Sequence, residues 1–238
     1  ASWDAELGLQ LLPLAVLSRR ESLDLLLKHR PDLSEADLDP IAAELGDLPL
    51  AVQLAGSFLA VRRHSPLGKP AAYLAHLKQV ALDHPSLKQA GVTRATGHDR
   101  HVANTFAVSY RDLEPDPDGL ALALLARAAH FAPGVPIPRE LLLATLALAE
   151  DDVEGQDQAE QALIRLTDLG LLELEAGGAL VLHRLLVRFV QAEKPDPGAQ
   201  TAVEETVLAE ASRFNKAGYP APLLAWQSHL RSVTDVAM

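Results

Sequence analysis

The stretch Gly46-Asp47-Leu48-Pro49-Leu50-Ala51-Val52, continued by Leu54-Ala55-Gly56, constrains this chain more than any other. Just before it, Leu38, Ile41, Ala42 and Leu45 recur at helical spacing, which predicts a helix over Leu38 to Leu45. Gly46 stands where a helix ends on a residue free to take positive φ. Asp47 is expected to cap the next helix, and Pro49 suits its first turn, where a missing N–H costs nothing. Leu48-Pro49 is then a rigid corner between two helices, with little side-chain bulk before it. A ligand or another domain can approach backbone there. An ordinary helix–turn–helix corner accounts for the same residues.

The rest of the chain supports a mainly α fold. Hydrophobic residues make up 48% of the 238, aromatics only 4%, so the core must be built from Leu and Ala, which favour helices over strands. Ser18-Arg19-Arg20-Glu21 is a capping box opening a helix that carries Leu23, Leu26 and Leu27 on one face and ends near Pro31. Helices are expected over Pro49 to Arg62 and Ala71 to Val80, which completes a four-helix bundle over residues 18–82. Residues 83–97 lack any period and read as a linker.

From His98 the pattern resumes, with Val102, Phe106, Tyr110 and Leu113 on one face. Three helical segments follow, Leu120 to Phe131, Arg139 to Ala149 and Gln158 to Leu169. Two apolar runs, Leu171 to Glu175 and Ala179 to Leu182, flank Ala176-Gly177-Gly178 as a β-hairpin. Three helices followed by a hairpin are the order of a winged helix, here over residues 98–194, with Leu185 to Glu193 leaving the wing. Residues 195–238 predict two more helices, Ala199 to Ala217 and Leu223 to Val236.

Gly46-Asp47-Leu48-Pro49-Leu50-Ala51-Val52-Gln53-Leu54-Ala55-Gly56 resembles the Gly-Leu-Pro-Leu-Ala-Leu segment, closed by Ala-Gly, of the STAND-class signalling ATPases, the NB-ARC family. The likeness extends to other stretches in the same order. Pro13-Leu14 and Ser18 to Leu27 resemble the family's entry to its helical region. Val102 to Tyr110 with Leu113, and Pro136-Ile137-Pro138, resemble two of its winged-helix segments. Leu182-His183-Arg184-Leu185-Leu186 resembles the bacterial form of its Met-His-Asp motif, with Arg184 where many members have Asp. The resemblance covers roughly Pro13 to Val190.

It implies that residues 1–17 are the tail of a nucleotide-binding domain and that the chain is a piece of a longer protein. It further implies that Gly46, Leu48 and Pro49 lie beside bound ADP, and that His183 donates to its β-phosphate. ADP or ATP would be held in the full-length parent, and weakly or not at all here. The partners implied are the protein's own P-loop domain and further copies of itself when activated. In many bacterial relatives a helical-repeat sensor of the TPR kind begins near residue 195.

The residues set limits of their own. No Gly-x-x-x-x-Gly-Lys-Ser/Thr occurs, and Gly68-Lys69 runs into Pro70, so no phosphate cradle is present and the chain is not expected to be an enzyme by itself. His98-x-x-His101 has i, i+3 spacing but no third metal ligand in view. The net charge of −11 disfavours nucleic acid and anionic membrane as partners. Residues 116–193 carry five Arg against thirteen acids, a poor surface for a DNA-binding winged helix, which stays as one alternative. A helical interaction scaffold with no nucleotide role is the other. No apolar run approaches the ~18 residues of a membrane span. The chain has no cysteine, which fits a cytoplasmic setting.

Overall fold

A computed structural model describes residues 16–83, 97–193, 196–219 and 221–236. The described residues are mainly helical, with one small two-stranded sheet. Residues 1–15 and 84–96 lie outside the described residues, and with them the expected nucleotide-domain tail and most of the expected linker.

The first helix, α1 (Arg19–His29), starts at the Ser18 box as its sequence predicts. The Ser18 hydroxyl accepts from the Glu21 N–H, and the Glu21 carboxylate takes the Ser18 N–H at 2.7 Å. The Ser18 N–H first, and then the Ser18 hydroxyl donating to the same carboxylate at 2.8 Å, hold the Glu21 carboxyl below its usual range. Helix α2 (Glu35–Glu44) begins earlier than its apolar spacing indicates, because Ser34 and Asp37 form a second reciprocal cap. Helix α3 (Pro49–Val61) is almost wholly buried, and its apolar residues touch neighbours on nearly every side. A 3₁₀ turn (Pro66–Gly68) leads into α4 (Pro70–Asp83).

Arg30 locks this bundle. It is 4% exposed, and its guanidinium donates to the carbonyls of Leu59 at 2.8 Å and Gly68 at 2.9 Å while pairing with Asp32. One buried cation thus satisfies two carbonyls that would otherwise lack a donor. Gly68 is glycine for a steric reason: a Cβ there would lie 1.9 Å from the Arg62 carbonyl oxygen.

Helix α5 (Gly97–Tyr110) packs against α3 and α4 on one side, and through Phe106 and Tyr110 against Phe189 on the other. Helix α6 (Gly119–Ala128) follows, then a short α7 (Arg139–Ala144) and α8 (Val153–Asp168). Helix α7 stops at Ala144, short of the expected Ala149. Helix α8 starts before Gln158, because Asp152 caps it by accepting from the Gly155 N–H. Gly170 follows α8 at φ +71°.

The hairpin pairs β1 (Glu173–Leu174) with β2 (Leu180–Val181), antiparallel, with Glu173 opposite Val181 and Leu174 opposite Leu180. Gly177 and Gly178, at φ +103° and +86°, make the turn. Ile137 adds a single bridge to Leu180, its N–H reaching the Leu180 carbonyl at 2.7 Å and its own carbonyl accepting back at 2.9 Å. Helix α9 (Arg184–Glu193) leaves the hairpin, and α10 (Pro197–Lys216) and α11 (Ala221–Val236) form a pair packed on α6 and α7 through α10. One continuous apolar core runs from Leu23 to Val233.

Asp112 ties the two halves together. Its side chain is 5% exposed and receives Arg62, from the end of α3, and Arg165 of α8, the latter at 2.9 Å. Arg165 also reaches Asp118 at 3.4 Å. Among the described residues no helix is long and apolar enough to cross a membrane.

Candidate functional site

The corner has the expected turn and a different cap. Gly46 sits at φ +62° and Pro49 is the first residue of α3. Asp47 does not cap α3. It takes φ +55°, and its carboxylate turns back to Arg19, which donates Nε to Oδ1 and a terminal nitrogen to Oδ2, both at 2.9 Å. Leu48 therefore holds the cap position of α3 with no side-chain hydrogen bond. A fork-to-fork ion pair outweighs a single bond to a helix N–H, which accounts for the choice. Arg19, and after it burial and the Ser22 hydroxyl, set the Asp47 carboxyl, with a net shift below its usual range. The Leu17 N–H also donates to the Asp47 carbonyl at 2.9 Å.

The corner thus presents an exposed Pro49 and a half-exposed Gly46, with Leu48 turned into the core. A Cβ on Gly46 would come within 3.8 Å of the His101 ring, so α5 closes one side of the corner. Gly56, further along α3, lies under His29. A Cβ there would be 2.6 Å from that ring, which explains glycine at that place in a buried helix.

His183 sits between β2 and α9 and is half-buried. Its carbonyl accepts from Leu186 at 2.8 Å, and its Nδ1 accepts from the Leu185 N–H at 3.3 Å. The imidazole is therefore the side-chain cap of α9. Because Nδ1 is an acceptor, the neutral ring carries its proton on Nε2, and that N–H has no partner among the described residues. Burial lowers the pKa of this ring, Glu173 across the hairpin opposes it, and Arg184 adds to the lowering. Leu182 and Leu186 pack into the core on either side, whereas Leu185 is 39% exposed and faces outward.

No hydrogen bond or ion pair joins His183 to Gly46, Leu48 or Pro49 among the described residues. The corner and the histidine are two separate features of one packed body. A cleft of about 800 Å³ opens beside α9, lined in part by His130, Arg184, Arg188, Asp196 and Glu204. His98 lies outside the residues with described side chains. No group of three or more metal-ligating side chains occurs among the described residues.

Two groups escaped the sequence reading. The Arg19–Asp47 pair joins residues 28 apart with no periodic signal. His229, fully buried on α11, could have been noticed, because Trp226, His229 and Val233 fall on one helical face.

His130, His183 and His229 all have pKa values lowered chiefly by burial. A histidine with a depressed folded pKa binds its proton more readily unfolded, so its stabilising effect is complete above the unfolded value of about 6.5 and is lost as pH falls below it. The urea midpoint is expected to be flat from pH 8 to about 7 and to drop between pH 6.5 and 5. His229 should account for most of the drop, since the other two are half exposed and screened. A midpoint that rises on acidification through this window would contradict the assignment.

No family model matches the chain. It is similar to the regulatory protein AfsR of Streptomyces coelicolor (strain ATCC BAA-471 / A3(2) / M145), with 33% identity over 190 residues. The matched region covers 78% of this chain and 17% of AfsR, so the chain spans about a sixth of that curated relative.

Proposed function

We propose that this chain is the regulatory part of a nucleotide-controlled switch of the STAND, NB-ARC kind. In this reading α6, α7, α8, the hairpin and α9 form a winged helix. The corner at Gly46, Leu48 and Pro49 and the His183 ring face ADP held by a P-loop domain of the same protein. With ADP in place the two halves clamp that domain shut. Exchange for ATP releases the clamp and lets copies associate. A nucleotide can shift the balance only by its differential affinity for the closed and open states.

The observation that carries this reading is the His183 ring. Its inner nitrogen is occupied by the Leu185 N–H, which leaves, on a half-buried ring at the strand–helix junction, an Nε2–H with no partner among the described residues. That is the arrangement a histidine needs to donate to an anionic acceptor such as a phosphate oxygen. The similarity to a protein named as regulatory supports the regulatory side of this reading. A nucleic-acid role gains nothing from the hairpin, where Glu173 and Glu175 are exposed.

The missing phosphate cradle defines the test. Calorimetry of the 238-residue chain with Mg-ATP or ADP at micromolar concentrations is expected to show no binding, because the phosphate and metal sites belong to the P-loop domain. Tight, Mg²⁺-dependent ATP binding by this chain alone would sink the assignment.

A further inference from the structure

His229, on α11, joins the C-terminal helix pair to the loop between α6 and α7. It is 0% exposed. Its Nδ1 accepts from the Ala132 N–H at 3.1 Å, which places the ring proton on Nε2, and Nε2 donates to the Pro136 carbonyl at 2.9 Å. The Phe131 ring meets it edge-on, with centroids 5.3 Å apart. Both nitrogens are thus committed to one short loop. Val203, Val207 and Val233 of the pair are buried apolar side chains of the common core. Among the described residues, His229 is the buried polar side chain on this pair.

The same loop is tied on its far side to the hairpin. Ile137, next to Pro136, exchanges two backbone bonds with Leu180. Leu180 lies three residues before His183. Gly134, inside the loop, lies close to the Arg184 side chain, and a Cβ on it would be 3.8 Å from the Arg184 Cβ. Residues 132–137 therefore form a strip held by His229 on one edge and by the His183 segment on the other. Such a strip has one place when both edges are bonded. It is freed on one side when the helix pair lifts away.

We propose that α10 and α11 form a regulatory arm, latched by His229, whose docking sets the position of His183 through residues 132–137. His229 is a positioning residue in this arrangement, acting through the loop. An input that pulls on the arm loosens the strip and, with it, the His183 cap of α9. The physiological meaning of that movement rests on the nucleotide reading of His183, but the mechanical coupling does not.

The experiment is hydrogen exchange on the 238-residue chain with His229→Phe, which keeps the ring and deletes both bonds. Exchange is expected to quicken by about tenfold or more in 197–236 and in 180–187, the factor that two lost buried hydrogen bonds represent. Residues 19–61 should keep their wild-type rates. Leu208→Ala, at an exposed site on α10, should leave all three regions unchanged. Val203→Ala, which weakens the arm by packing alone, should quicken the first two regions in the same order. A loosened arm with 180–187 unchanged refutes the coupling, and an arm that stays tight refutes the latch. A rise of equal size in 19–61 makes His229 a residue of general stability and overturns the proposal. Because no nucleotide is present, these outcomes stand apart from ADP affinity, which tests the role of His183 itself.

Discussion

Replacing His183 with alanine in the full-length protein is expected to weaken ADP by about one to two decades and to favour the open, associating state. A hydrogen bond to a charged acceptor contributes roughly 1.5–3 kcal/mol, which is about that range in affinity. The free Nε2–H is the group lost. Alanine also removes the Nδ1 cap of α9, so a modest fall in stability, roughly 0.5–2 kcal/mol, accompanies it. His183→Asn separates the two effects. Asparagine caps helices well and restores the acceptor for the Leu185 N–H, yet it cannot place a donor where Nε2 stands. ADP affinity should stay low in the asparagine variant while melting temperature recovers. If ADP affinity is unchanged in both variants and only melting falls, His183 is a cap and nothing more.

Asp112→Ala is expected to destabilise the fold by about 2–3 kcal/mol. Removing one partner of a buried pair typically costs about 3–5 kcal/mol, because the remaining charge is stranded. Here the stranded groups are Arg62 and Arg165, 35% and 27% exposed, so water recovers part of the loss. For a chain of this length the melting temperature should fall by roughly 5–10 °C. Asp112→Asn keeps acceptor oxygen for one arginine and should fall between. The double variant Arg62→Ala with Asp112→Ala should cost clearly less than the sum of its parts, since the two side chains share one interaction. Strict additivity would show that the pairing of these groups does not hold the halves together in solution.

The helical half of the fold was legible because Leu, Ala and Ile carry a 3.6-residue period that packing then uses. Ser18 with Glu21, Gly46, Pro49, Gly177 and Gly178 each did what its chemistry dictates. Boundaries were read less well where caps, not apolar spacing, decide them. Ser34 with Asp37 and Asp152 with Gly155 both start helices ahead of the first periodic residue. Asp47 was misread for a related reason. Local sequence offers it the role of helix cap, but Arg19 lies 28 residues away and makes the stronger bond.

The site divides in the same way. A histidine after a strand and before a helix can be seen in the sequence, whereas its tautomer depends on the Leu185 N–H and appears only in three dimensions. Long-range polar pairs have no period to betray them. Asp112 joins residues 50 and 53 positions away on either side. The Ala132–His229 bond spans 97.

Position 47 carries two demands that few residues meet together. Its backbone is left-handed, at φ +55°, and its side chain must reach Arg19 with two oxygens. Glycine eases the first and abandons the second. Asparagine tolerates the turn but answers a fork with one oxygen and one donor, and glutamate lengthens the arm while losing the aspartate's tolerance of that turn. A substitution table would rate both of the latter as mild. In a selection for folded variants, position 47 should therefore accept fewer replacements than the wholly buried leucines beside it, whose shape several apolar side chains can imitate.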